Sequence, residues 1–108
     1  MNKTLASFFY PKIPSIIGHR GAYNSAPENT LASFRKAAQL GAKWIEIDVR
    51  LSSDKIPVVF HDNDVDRTTN GQGPVQSFTL KSLQELDAGS HYHIDFSGEK
   101  VPTLLQTI

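Results

Sequence analysis

Apolar and polar positions change period several times along the chain. Between Trp44 and Leu51, Ile45, Ile47, Val49 and Leu51 alternate with Trp44, Glu46, Asp48 and Arg50, the period of a strand. Val58, Val59 and Phe60 form a β-branched and aromatic run, a second strand. Ser53, Asp54 and Lys55 are turn formers between them. A tight hairpin tipped by Asp54-Lys55 sets His61 opposite Asp48; a loop of another length shifts that register. Ile13 to Ile17 is a third apolar run, with Pro14 tolerated near its start, and it ends at Gly18-His19-Arg20-Gly21.

From Thr30 to Leu40 the period lengthens to that of a helix. Leu31, Phe34 and Ala38 share one face with Ala37 beside them, and Arg35, Lys36 and Gln39 face water. Asn29 is the predicted N-cap, and Gly41 is placed to end the helix in a left-handed conformation. Residues 15 to 51 therefore read as a β-α-β unit with parallel strands and a right-handed crossover. Residues 63 to 78 are turn-rich and polar, and are predicted to be an excursion over the active face rather than a core element. Thr79 caps a short helix carrying Leu80, Leu83 and Leu86, with Gly89 as its stop. Thr103-Leu104-Leu105-Gln106 is a capping-box pattern, so a further helix opens just before Ile108 and is expected to be left unfinished.

Composition narrows the partners. The 108 residues suffice for one small domain. Eleven basic and eleven acidic side chains cancel, so no global field favours nucleic acid or an anionic membrane surface. The absence of cysteine rules out disulfides and thiolate metal sites and fits a cytoplasmic location. No apolar run approaches membrane-spanning length. Residues 1–12 read as a leader, interrupted by Pro11, Lys12 and Pro14 before a signal-peptide core could form; residues 13–108 are the domain.

Candidate chemistry lies on one strand face and at one strand end. Glu46 and Asp48, two apart, share a strand face, and the predicted hairpin adds His61. Two carboxylates and an imidazole suit a divalent cation such as Ca²⁺ or Mg²⁺ beside a proton-transfer group; the alternative is a half-exposed strand with a polar face. His19 and Arg20, flanked by glycines, are carried to a strand end, and the planar arginine fork suits phosphate; the alternative is a turn with two exposed polar residues. Arg67 is either a second phosphate contact or a brace for its own loop. His91 and His93 share one side if extended, either as metal ligands or as an exposed pair.

Gly-His-Arg-Gly at 18–21, Ala-Pro-Glu-Asn-Thr at 26–30, Glu-Ile-Asp-Val at 46–49 and Val-Phe-His-Asp at 59–62 stand in the order and spacing of the glycerophosphodiester phosphodiesterase family. Asp66-Arg67-Thr68-Thr69 with Gly71 and Gly73, and Val101-Pro102-Thr103-Leu104 after Gly98-Glu99, extend the resemblance over about residues 15 to 105. The chain departs from the pattern at Lys55, where the family hairpin usually has glycine, and at Leu105, where it commonly has glutamate.

The resemblance implies an α/β fold, the N-terminal portion of a (β/α)₈ barrel that typically takes about 250 residues. This chain would then be incomplete, a fragment with open sheet edges that a second copy or a complementary chain would cover. The implied reaction is metal-dependent hydrolysis of a small-molecule glycerophosphodiester to sn-glycerol 3-phosphate and an alcohol. In it the substrate's 2-hydroxyl attacks first and water opens the cyclic phosphate. Carried over by position, His19 and His61 match the acid and base, Arg20 the phosphate clamp, and Glu46 and Asp48 two metal ligands. A third acidic ligand is expected beyond Ile108, so the isolated chain is expected to have little activity. Two alternatives stay open: a non-catalytic remnant or partner-dependent piece, and a related barrel phosphodiesterase acting on lysophospholipids or sphingomyelin.

Overall fold

Short apolar runs become short strands. The computed structural model describes residues 16–108; the leader at 1–12 and most of the Ile13–Ile17 run lie outside the described residues. β1 (Ile17–His19) pairs in parallel with β2 (Trp44–Glu46), Ile17 opposite Trp44, Gly18 opposite Ile45 and His19 opposite Glu46. Between them runs α1 (Leu31–Gln39), completing the expected β-α-β unit. Its N-cap is Thr30 rather than Asn29: the Thr30 hydroxyl accepts from Ser33 N at 3.2 Å. Asn29 is instead left-handed, with φ 55°, a conformation that asparagine adopts more readily than most residues.

The helix also buries a different face from the one predicted. Ser33 and Ala37 are buried, and Ala38 is exposed. The reason lies in the turn after β1. The Ser33 hydroxyl donates to Arg20 O (2.9 Å) and accepts from Ala22 N (2.8 Å), so α1 docks on backbone through its small residues. Two glycines permit that approach. A Cβ on Gly18 would meet Gly21 O at 2.5 Å, and one on Gly21, which has φ 86°, would collide with Ser33.

The predicted Trp44–Leu51 strand is interrupted. β2 ends at Glu46, and β3 (Val49–Leu51) begins a second sheet with β4 (Pro57–Val59), antiparallel. Val49 faces Val59, Arg50 faces Val58 and Leu51 faces Pro57. Phe60, not His61, therefore falls opposite Asp48, and Phe60 N donates to Asp48 O at 2.8 Å. The slip comes from the loop. Ser52 N donates to Ile56 O and Lys55 N to Ser52 O, which leaves three residues at the tip and puts Lys55 in the left-handed region at φ 65°. That is the three-residue hairpin loop, closed by a residue that glycine usually supplies.

The core is built by Val58, Phe60, Val65, Val75, Leu83, Ala88 and Val101, with Phe78, Leu80 and Leu86 packed against it. Two of these valines lie in the 63–78 segment, so that segment is not merely an excursion. It folds back on itself through Val65 N to Gly73 O and Val75 N to Asn63 O, each 2.9 Å, and buries Val65 and Val75 completely, with Thr68 and Thr69 beside them. Each buried valine contributes about 1.5–3 kcal/mol, enough to anchor a polar loop whose apolar content is sparse. α2 (Leu80–Gln84) is capped by Thr79 as predicted. It ends at Glu85, short of Gly89, where Asp87 takes over by accepting from Gly89 N and Ser90 N. α3 (Leu104–Thr107) has its full capping box: Thr103 Oγ1 accepts from Gln106 N, and Gln106 Oε1 accepts from Thr103 N. Among the described residues the strands form two two-stranded sheets and do not close a barrel. No helix there is long and apolar enough to cross a membrane.

A non-glycine residue in the left-handed region costs roughly 1–2 kcal/mol. Lys55→Gly, offset in part by the greater freedom of glycine when unfolded, is expected to stabilise the protein by about 0.5–1 kcal/mol in urea unfolding. An unchanged or lowered midpoint would contradict the three-residue loop.

Candidate active site

The turn after β1 sets the position of each side chain near it. Arg20 is left-handed, φ 52°. Its N–H donates to Glu46 O at 2.8 Å, extending the parallel ladder by one step, and its carbonyl accepts from Asn29 N at 2.9 Å. His19, one residue earlier, is in register with Glu46, and its Nε2 lies 3.8 Å from Glu46 Oε2. Both side chains are about half exposed (48 and 50 %). The edge of Tyr23 packs against the His19 ring, centroids 5.0 Å apart.

Arg20 turns toward the second carboxylate. Its Nε lies 3.7 Å from Asp48 Oδ2, too long for a hydrogen bond, and is buried without an acceptor. Its Nη1 donates to Glu28 Oε1 at 3.1 Å. Asp48 sits in the break between β2 and β3, where Asn29 Nδ2 donates to its Oδ2 at 3.1 Å. Thus Glu46 and Asp48 lie beside the neighbouring residues His19 and Arg20, although they do not share one regular strand as the alternation suggested.

His61 arrives from the other sheet, beyond β4. Its carbonyl accepts from Arg50 Nε (2.8 Å) and Nη2 (2.6 Å), and Arg50 Nη1 donates to Asn63 Oδ1. Its Nδ1 is 2.7 Å from Asp62 Oδ1, so its ring pairs with the next residue rather than with Asp48. Arg67 then joins the two halves. It donates through Nε and Nη2 to both oxygens of Asp62, each at 2.9 Å, and through Nη2 (2.7 Å) and Nη1 (3.1 Å) to Glu28. An unbroken chain therefore runs from His61 through Asp62, Arg67 and Glu28 to Arg20. Arg67 braces its loop and makes no approach to the Glu46–Asp48 pair. His93 is an N-cap, accepting from Asp95 N through Nδ1, which accounts for it without a metal.

Glu28, Asn29 and Asp62 stand in the quoted motifs, and nothing in the sequence pattern gives them a site role. The sequence offers Asn29 as a helix cap, but the Thr30–Ser33 pair one position later makes Thr30 the cap and frees Asn29 for Asp48.

The charges act on one another. The Arg67 hydrogen bond holds the Asp62 carboxyl well below the usual carboxylate range, against an opposing push from burial, and His61 adds to the lowering. Burial is the largest influence on Glu28 and raises its pKa, but hydrogen bonds and charge from Arg67 and Arg20 together outweigh it, and the net shift is downward. Arg67 is correspondingly raised by Asp62 and Glu28.

Oxygen donors lie at the end of β2 and in the break that follows it. Glu46 and Asp48 offer carboxylates, and the Asn29 Oδ1 beside Asp48 is buried without a partner. Such a donor set fits a hard divalent cation. Among the described residues no three His, Cys, Asp or Glu side chains converge to form a complete metal cage.

Depressed carboxylate pKa values stabilise the fold only while the groups are ionised. Because the folded state binds fewer protons than the unfolded one, the Glu28 and Asp62 contributions are present above the unfolded values near roughly 4 and are lost as pH falls below them. Thermal melts are expected to fall below about pH 4, with a shallower acid slope in Arg67→Met. Equal slopes in the two proteins would contradict the network.

The glycerophosphoryl diester phosphodiesterase family matches residues 19–108. The chain is 50% identical over 91 residues to the glycerophosphodiester phosphodiesterase of Caldanaerobacter subterraneus, covering 84% of this chain and 37% of that protein. It is 45% identical over 96 residues to human glycerophosphodiester phosphodiesterase 1, covering 87% of this chain and 29% of the relative. The structure of an Oleispira antarctica phosphodiesterase in complex with the product sn-glycerol-3-phosphate superposes with TM-score 0.88 at 50% identity, over 95% of this chain and 40% of that one. The Agrobacterium tumefaciens glycerophosphodiester phosphodiesterase superposes with TM-score 0.82 at 47% identity, over 85% and 40%. The chain thus spans well under half the length of these relatives, and it belongs to the glycerophosphodiester phosphodiesterase family.

Proposed function

We propose that this chain carries the N-terminal part of a (β/α)₈ barrel that hydrolyses glycerophosphodiesters to sn-glycerol 3-phosphate and an alcohol. The carrying observation is the convergence of His19 on Glu46 at 3.8 Å and of Arg20 on Asp48 at 3.7 Å. It sets an imidazole and a guanidinium beside two carboxylates. The barrel reading is supported by the parallel β1–β2 pair and by apolar side chains left uncovered on the strands and at the last helix. Ile16 is 64 % exposed, Leu105 79 % and Ile108 85 %, with Trp44, Val49 and Leu51 also exposed. Further β/α units would cover them.

In this reading Arg20 holds the phosphoryl oxygens through its planar fork. Glu46 and Asp48, with Asn29 beside Asp48, would hold a divalent cation, Mg²⁺ or Ca²⁺. When bound, the cation neutralises charge on the phosphoryl oxygens in the transition state. The nucleophile is the substrate's 2-hydroxyl. One of His19 and His61 takes its proton while the other protonates the departing alkoxide. Water then opens the cyclic phosphate with the two roles reversed. The C-terminal units would supply a third acidic ligand and the contacts that choose the alcohol.

A second reading is favoured by the same exposed strands: the chain acts as a piece that pairs with a copy or a complementary chain. Sedimentation separates the two. A monomer at micromolar concentration argues against self-pairing, and a stable dimer supports it.

The catalytic reading is tested with the chain fused to the C-terminal part of the Oleispira antarctica enzyme, alongside the 108-residue chain alone. The fusion is expected to release sn-glycerol 3-phosphate from glycerophosphocholine only with Mg²⁺ or Ca²⁺, and His19→Ala to lower the rate about 10²–10⁴-fold. The chain alone is expected to be far slower. A folded fusion whose turnover is indifferent to His19→Ala would refute the assignment.

A further inference from the structure

His61 is restrained twice, and the second restraint is chemically selective. Its carbonyl is clamped by Arg50, which fixes the backbone. Its ring meets Asp62 Oδ1 at 2.7 Å, although 40 % of the side chain is exposed and the ring could equally be solvated. An ionised carboxylate can only accept hydrogen bonds, so the shared proton lies on Nδ1. In the neutral ring the other nitrogen, Nε2, is then the unprotonated one.

Asp62 is itself immobilised. Arg67 grips both its oxygens with Nε and Nη2, and the same guanidinium grips both oxygens of Glu28. Glu28, only 11 % exposed, shares Oε1 with Arg20. A planar fork can bridge two carboxylates in this way; a lysine, a point charge on a flexible stem, cannot. The pairs that support the fold against acid also hold the Asp62 carboxylate in one position against the His61 ring.

We infer that Asp62 is a positioning residue for His61, accepting its Nδ1–H so that Nε2 is the proton-transfer atom offered to substrate, with Arg67 and Glu28 fixing the carboxylate that does so. The inference rests on the reading of His61 as a proton-transfer residue. Its geometric part, the tautomer, is independent of turnover. Fixing the ring's orientation and tautomer through the nitrogen remote from the reaction is a recurring use of a carboxylate beside histidine.

The test is long-range ¹⁵N–¹H correlation of the His61 ring in the labelled chain, in buffer alkaline enough that the imidazole is neutral. His61→Gln assigns the signals. The expected wild-type ring has a protonated, pyrrole-type Nδ1 and an unprotonated, pyridine-type Nε2, the tautomer that a free histidine side chain favours less. Asp62→Asn is expected to shift the population to the Nε2–H form, and Arg67→Lys to give a mixture, with amide spectra reporting that the fold persists. A wild-type ring in the Nε2–H form would overturn the inference, as would a folded Asp62→Asn protein with an unchanged tautomer. If Asp62→Asn does not fold, the wild-type spectrum and Arg67→Lys decide. In the active fusion, Asp62→Asn should lower kcat at least tenfold with KM little changed. A fusion that never turns over, paired with an Nδ1–H ring, would refute the catalytic reading and leave the positioning of His61 standing.

Discussion

The site depends on one unfavourable backbone conformation. Arg20, a long β-substituted residue, adopts the left-handed region at a cost of roughly 1–2 kcal/mol. Three hydrogen bonds to its main chain oppose that cost: its N–H to Glu46 O, and its carbonyl from Asn29 N and from the Ser33 hydroxyl. At about 1 kcal/mol each, they offset the strain and tie β1, β2, the 22–29 loop and α1 to a single residue. Gly18 and Gly21 are small because the turn closes on itself and on Ser33. The guanidinium is thereby delivered to Glu28 and Asp48 by the backbone, before any side-chain interaction is counted.

Charge then organises what the backbone has gathered. Two arginines and three carboxylates alternate from Asp62 to Asp48, so each cation lies between anions. Glu28 is the central member: it touches both arginines and remains ionised in spite of its burial. The network links two sheets that share no ladder, one bearing His19 and Glu46 and the other leading to His61. Protonation of Glu28 and Asp62 in acid would remove the charge that binds the network together.

Much of this was legible in the sequence, and the failures have physical causes. The β-α-β unit, the Thr79 cap and the Thr103–Gln106 capping box rest on local period and capping chemistry, and each formed. His19-Arg20 were legible at a strand end because glycines flank them, whereas the sequence pattern joined Glu46 and Asp48 to His61 and not to His19 and Arg20. The hairpin register did not follow, because Lys55 gives no sign that it will take the left-handed position that makes the loop three residues long. The buried face of α1 was misread because hydrophobicity marks Leu31 and Phe34, whereas docking on a backbone turn selects the small Ser33 and Ala37. Val65 and Val75 were hidden among polar residues, for no periodic pattern surrounds them. Glu28 and Asp62 required the tertiary fold, since their partner Arg67 is distant in sequence from Glu28.

The central claim is that residues 18–21, 46–48 and 60–62 form one phosphate-binding site. It is tested most directly by titrating the labelled protein with sn-glycerol 3-phosphate and following amide shifts, beside the Arg20→Met variant. The account predicts shifts concentrated at those three segments and at Asn29, saturable in the wild type and lost in the variant. Saturable shifts elsewhere, or shifts at the three segments that persist without Arg20, would contradict it.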